Sequence, residues 1–445
     1  VIDPAIFKAY DVRGTYPDQL NDDAAHTIGG AIIEHLGVSS IAVGRDMRVS
    51  GPALSAALIQ GMLAQGAEVI DLGMTSTDEL YFAVGKFGYP AGVMISASHN
   101  PKDYNGFKLC REQAIPISSE TGLDTIRDIA MKGPLPAKAT HGKLVNRDVL
   151  ADFVNHVLGF IDPAQVRPLK VCIDAGNGMA GMVAPEVFDR LPCKVTPLYF
   201  TLDGTFPHHP ASPIEPENMV DLQHLVRSTG SDIGVAFDGD ADRMFIVDEQ
   251  GNLVDGSQVT ALVARSLLER SPGSTILYNL ICSRGVPELI TKLGGKAIRT
   301  RVGHSFIKAE MRENNAIFGG EHSGHFYFRD NFFADSGMIA LLVVLELISR
   351  ENKPVSELIR SIDHRFRSGE INSHVEDIPA KLQELRDRFK DGQQDELDGI
   401  TVNYPDWWFN VRASNTEPLI RLNLEGDTKE LMEKHRDELL GIIRE

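Results

Sequence analysis

The feature that most constrains this chain is a pattern that occurs three times. Each time an apolar strand leads through a loop into a helix, then a second strand, then a last apolar strand ending in an unusually polar loop. The first unit runs from strand 40–43 (SIAV) through loop 44–50 and helical stretch 51–64 to strand 68–72. The second runs from 169–173 (LKVCI) through 174–181 and 182–191 to 194–199, and the third from 274–280 (STILYNL) through 281–285 and 286–293 to 296–299. The polar loops that close them are SASHNP at 96–101, DGDADR at 238–243 and GEHSGH at 320–325. Strand–helix alternation predicts mixed or parallel sheets covered by helices, and such folds present chemistry at the carboxyl ends of their strands. Three equivalent loops imply convergence on one cleft.

The repeat sets the domain boundaries. The fold class expected is α/β: three similar domains with mixed sheets at 1–145, 146–250 and 251–362, and a smaller α+β domain at 363–445. Residues 140–147 and 248–255 read as crossings between units. The last domain shows helical stretches at 380–389 and 429–443 with strands between them. A chain of 445 residues is too long for one core, which agrees with several domains.

Composition excludes some classes of partner. A formal net charge of −18 argues against nucleic acid and anionic membrane, and requires any bound anion to meet locally concentrated cations or backbone amides. The longest apolar run, 338–348, is too short to span a bilayer and contains Glu346. The opening VIDPAIFKAYDVRG is mixed, so no secretory signal is expected, and Cys110, Cys172, Cys193 and Cys282 form no CxxC pair. Buried thiols in a reducing cytoplasm are the expectation.

The polar loops carry the chemistry. The strand 91–95 delivers Ser98 into a loop of small residues; a polar turn is the bland reading, a reactive hydroxyl the sharper one. Asp238, Asp240 and Asp242 alternate along an extended loop, so three hard oxygens can share one side, a set suited to Mg²⁺. A solvated acidic turn is the alternative. An EF-hand is not, because the sixth position is Arg243 rather than Gly and a strand follows. Arg243 suits an anionic oxygen beside the metal. Gly319 and Gly320 permit close backbone approach, and Glu321, Ser323 and His325 offer groups for sugar hydroxyls. His304 adds a further polar group upstream. Arg412, Ser414, Asn415 and Thr416 crowd donors into one turn that can surround a phosphate. Tyr10 and Arg13 in YDVRG could reach the cleft, and Lys108 could place an ammonium near Ser98. Together these are the parts needed to move phosphoryl groups on a sugar phosphate.

The ordered motifs YDVRG, SASHNP, DGDADR, GEHSGH and RASNTEP resemble the α-D-phosphohexomutase family, within it the bacterial phosphomannomutase/phosphoglucomutase group, over essentially the whole chain. The resemblance implies four domains around a cleft, the last resembling a TATA-box-binding fold. It implies Ser98 as phosphoserine, with Ser98, Asp238, Asp240 and Asp242 holding Mg²⁺ and Arg243 beside the phosphoserine. It implies sugar binding by Glu321 and Ser323, phosphate binding by Arg412, Ser414, Asn415 and Thr416, and cleft positions for Tyr10, Arg13, Lys108, His304 and His325. Lys108 and His325 are the first candidates for acid–base work, with His99 and His304 behind them, and the sequence does not decide among them. His322 departs from the residues usual in sugar-selective branches, so it bears on the choice of hexose.

The activity expected is reversible transfer of a phosphoryl group between O1 and O6 of glucose and mannose phosphates. A hexose 1,6-bisphosphate serves as intermediate and activator, and a hinge lies near 361–367. A phosphoglucosamine mutase, a non-catalytic phosphosugar-binding protein and a metal-dependent phosphatase are the alternatives. The partners expected are hexose phosphates, with no nucleic acid or membrane, for a cytoplasmic monomer or weak oligomer.

Overall fold

The computed structural model describes residues 2–414 and 419–445. The chain divides into two compact units: Val1–Asp255 with Ser323–Ser356, and Gly256–His322 with Glu357–Glu445.

The first unit contains two mixed sheets. One has six strands in the order Val12–Thr15, Tyr104–Arg111, Ala91–Ile95, Ser40–Arg45, Glu68–Met74, Leu144–Asn146. The other has five, in the order Leu253–Val254, Met244–Val247, Ile233–Phe237, Lys170–Asp174, Lys194–Leu198. Ala91–Ile95 and Ile233–Phe237 are buried at every position, which is why both read as unbroken apolar runs. Each is followed by an antiparallel strand, so the polar loop between them is also a strand reversal. The sequence reading missed Leu144–Asn146 and Leu253–Val254, placing crossings there. These strands have only three and two residues, too few to show a period.

Local chemistry fixes the helices. Ser76 and Glu79 form a reciprocal capping box at the start of Thr77–Phe87, and Gly88 ends it with φ 68°. Asp22–Leu36 and Gly51–Ala64 cross on glycines: a Cβ at Gly61 would lie 1.9 Å from the His26 carbonyl oxygen. The apolar run 338–348 lies within Gly337–Glu351, buried from Gly337 through Ser349. Its carboxylate, Glu346, accepts a hydrogen bond from the Asp162 amide at 2.9 Å. Among the described residues no helix is long and apolar enough to cross a membrane. All four cysteines are free; three are buried as expected, but Cys193 is partly exposed.

In the second unit, Lys296–Thr300, Thr275–Asn279 and Phe318–Gly320 pair in parallel. Its carboxy-terminal part is an antiparallel sheet in which Leu419–Gly426 pairs with Trp407–Ala413, Ile371–His374 and Phe366–Arg367. Leu385 and Leu439, from helices Ile378–Arg388 and Lys429–Arg444, pack with Ile400, Phe409 and Leu422 in one core.

Asp78 ties the capped helix to the next segment of its unit, because Ser336 Oγ donates to Asp78 Oδ2 at 2.6 Å. Burial pushes the Asp78 carboxyl up to about 7, with Glu79 and Asp335 adding repulsion. A carboxyl raised on folding binds its proton more tightly folded than unfolded, so its contribution is full below pH ~4 and lost by pH ~7. Urea unfolding from pH 4 to 8 checks this: Asp78→Asn should flatten the decline in stability across that window by a few kcal/mol or less.

Candidate active site

Ser98 follows the buried strand Ala91–Ile95 and has φ 49°, in the left-handed region. Its Oγ donates to Asp238 Oδ2 at 2.6 Å and accepts from Arg243 Nη2 at 3.0 Å. Gly239 makes that approach possible, since a Cβ there would lie 2.5 Å from the Ser98 carbonyl oxygen. Asp240 Oδ2 accepts from Thr77 Oγ1, from Ser96 Oγ at 3.0 Å and from Lys108 Nζ at 2.6 Å. The same ammonium reaches Asp242 Oδ2 at 2.6 Å.

Three buried carboxylates therefore meet two cations, buried Arg243 and partly exposed Lys108. Burial and the charge of Asp240 push Asp242 well above the usual carboxylate range. Burial opposes the charge on Asp240 as well, but Lys108, Thr77 and Arg243 together outweigh it and hold that carboxyl low. Burial also opposes the charge on Lys108, yet Asp240 and Asp242 raise its pKa well above the ordinary value. His99 faces Arg243 Nη2 through Nδ1, and that guanidinium, with burial, keeps the imidazole neutral.

Residues 323–325 join this cluster by backbone pairing: Arg243 bridges His325, and the Met244 amide donates to the Gly324 carbonyl at 3.2 Å. His325 Nε2 stands 4.0 Å from Asp242 Oδ1 and 3.9 Å from Asp335 Oδ2, while Nδ1 meets Ser323 Oγ at 3.1 Å. Arg13 Nη1 donates to Asn100 Oδ1 in the serine loop, and Tyr10 lies in the turn before Val12–Thr15.

The other unit holds the remaining candidates. Buried Glu321 accepts from the Gly303 amide at 3.2 Å, next to His304 at the start of His304–Glu313; His322 follows Glu321. Gly319 and Gly320 do permit close approach, as the sequence reading expects. They belong to the strand Phe318–Gly320, and a Cβ at Gly320 would lie 2.3 Å from Thr260 Oγ1, so they serve packing. Glu370 holds two guanidiniums together, Arg412 and Arg421 each at 2.8 Å, and Arg421 Nη2 reaches Ser414 Oγ at 3.2 Å. Asn415 and Thr416 lie outside the described residues.

Family models for phosphoglucomutase/phosphomannomutase match in order: α/β/α domain I at residues 4–135, domain II at 151–251, domain III at 255–366 and the C-terminal domain at 370–442. The chain belongs to the phosphoglucomutase/phosphomannomutase family. It is 40% identical over 454 residues to a phosphomannomutase of Salmonella typhimurium, covering 99% of each chain. It is 37% identical over 442 residues to a phosphomannomutase/phosphoglucomutase of Pseudomonas aeruginosa, covering 97% of this chain and 93% of that one. A crystal structure of a phosphoglucomutase/phosphomannomutase family protein from Burkholderia thailandensis superposes with a TM-score of 0.90 at 32% identity, covering 99% of this chain and 98% of that one. Three α/β/α domains and a C-terminal domain make up this phosphoglucomutase/phosphomannomutase chain.

Sequence reasoning missed Thr77 and Asp335 in the first unit and Glu370 and Arg421 in the second. Glu370 lies 42 residues before Arg412, so no local spacing connects them. The aspartate triad suits a metal ion: each residue offers an oxygen within 4.8 Å of the others, and buried Asp240 Oδ1 and Asp242 Oδ1 have no hydrogen-bond partner among the described residues. A divalent cation should therefore stabilise the protein, by about 2.7 kcal/mol at a hundredfold excess over its Kd. Differential scanning calorimetry should show a higher Tm with Mg²⁺ for the wild type and little shift for Asp240→Asn.

Proposed function

We propose that this phosphohexose mutase carries its phosphoryl group on Ser98 Oγ and moves it between O1 and O6 of a hexose. The observation that supports this reading is the buried hydroxyl bonded to Asp238 and Arg243, beside two more aspartates and Lys108. Asp238, Asp240 and Asp242, with an oxygen on Ser98, would hold Mg²⁺, which when bound neutralises phosphoryl charge.

In the first half-reaction a substrate hydroxyl oxygen bonds to phosphorus as the bond between phosphorus and Ser98 Oγ breaks. The product is a hexose 1,6-bisphosphate. The intermediate turns end for end, and in the second half-reaction Ser98 Oγ takes the other phosphoryl group. Arg243 Nη2 steadies charge on Oγ as it leaves. Lys108, its ammonium held by two aspartates, acts as fixed positive charge rather than as a base. We assign the substrate hydroxyl's proton to His325, whose Nε2 lies between Asp242 and Asp335. The phosphate that is not transferred binds at Arg412 and Ser414, with Arg421 added to the set. Glu321, His322, Ser323 and His304 face the sugar, and Tyr10 and Arg13 support the cleft.

The proposed hinge near 361–367 would have to bend about a segment that is itself bonded to its neighbours. Asp363 accepts from Ser283 Oγ at 2.7 Å, and Arg365 forks onto Glu288 at 2.9 and 3.0 Å, so this segment ties the two parts of its unit together.

Ser98→Ala should lower kcat with glucose 1-phosphate and a trace of bisphosphate by at least about a thousandfold. A coupled glucose 6-phosphate assay reads the loss, and normal turnover would end the phosphoserine reading. Arg412→Ala should raise KM far more than it lowers kcat, since an unpaired buried phosphate contact costs about 2–5 kcal/mol. A KM change below about tenfold would remove this turn as the anchor. Glucose and mannose 1-phosphates should both turn over; preference for glucosamine 1-phosphate would reassign the sugar.

A further inference from the structure

We propose that Arg48 is a positioning residue for the phosphoryl-carrying serine: its guanidinium gathers four backbone carbonyls of the 98–104 loop and holds Ser98 in its left-handed conformation. Nη2 donates to the Ser98 carbonyl at 2.8 Å and the Asn100 carbonyl at 2.6 Å; Nη1 donates to Pro101 at 2.7 Å and Tyr104 at 2.9 Å. The side chain is fully buried, with Nε 3.4 Å from Asp46 Oδ2 as its counter-charge.

A non-glycine residue at φ 49° is strained and persists only where its surroundings dictate it. Two local bonds contribute, from the Ser98 amide to Ser96 Oγ at 2.8 Å and from the Asn100 amide to the Ala97 carbonyl at 2.9 Å. Neither fixes the carbonyl of Ser98 itself. Arg48 does, and it binds the far end of the loop with the same planar group. A lysine has a point charge in place of that fork and cannot match four carbonyls in fixed directions.

Arg48 is held in turn from the metal-loop side of the unit. Its guanidinium lies over the Phe206 ring at 5.1 Å, and Gly204 packs so closely that a Cβ there would lie 2.6 Å from Arg48 Cα. The turn carrying Phe206 thus rests on the residue that shapes the serine loop. Displacing a reacting atom by about 1 Å can cost about a hundredfold in rate while leaving distant binding groups in place. Among the described residues the Arg48 guanidinium hydrogen-bonds to loop carbonyls and not to the aspartate triad, so it should affect kcat and leave KM unchanged.

This inference rests on Ser98 being the phosphoryl carrier, and the two can fail separately. The test is Arg48→Lys, assayed with hexose 1-phosphate and bisphosphate, together with phosphorus NMR of the phosphoenzyme. The expected result is a kcat about a hundredfold lower, KM within threefold of wild type, and a shifted phosphoserine resonance in a folded protein. A folded R48K with kcat within threefold of wild type overturns the positioning role, even if Ser98→Ala is inactive. An active Ser98→Ala would instead overturn the carrier reading. If R48K does not fold, Phe206→Leu keeps the four carbonyl bonds and removes the ring face. It should lower kcat several-fold at constant KM, and an unchanged kcat overturns the proposal.

Discussion

The site depends on one electrostatic constraint: three buried carboxylates must sit together beside a hydroxyl. Left alone they would repel and take up protons. Lys108 bridges Asp240 and Asp242, and Arg243 pairs with Asp238, so two cations offset three carboxylates. The remaining excess of negative charge, with two carboxylate oxygens that have no hydrogen-bond partner among the described residues, suits a divalent cation. With a divalent cation bound, Lys108 and Arg243 would add to its charge and give an acidic chain a local positive site for an anionic substrate.

The framework around this balance is rigid where the chemistry needs short distances. Ser98 comes off a strand buried at every position, and Thr77, the first residue of a capped helix, donates to Asp240. Gly239 has no side chain to hold the serine and metal loops apart. Fixed donors at the developing charge require no reorganisation during transfer, which is how positioning alone can accelerate phosphoryl exchange.

Much of this was legible in the sequence because it is local. Alternating aspartates, the serine after an apolar strand and the threefold strand–helix order all have short-range signatures, and the long helices followed their periodicity. Other parts were not legible, for physical reasons. Glu370 meets Arg412 and Arg421 across a sheet, Asp335 approaches His325 through a chain reversal, and Arg48 reaches a loop 50 residues further on. None of these pairings has a spacing that a linear reading can use. Gly319 and Gly320 do permit close approach, as read, but only the structure shows that Thr260 and Met311 are the groups that approach.

The central claim is that Ser98 Oγ carries the phosphoryl group. Its most direct test is incubation of the dephosphorylated protein with hexose 1,6-bisphosphate and Mg²⁺, followed by peptide mass spectrometry. The account predicts one added phosphate, confined to the peptide bearing Ser98, that disappears when hexose 1-phosphate is added. Turnover of substrate with no phosphate on that peptide, or with phosphate on another residue, would contradict it.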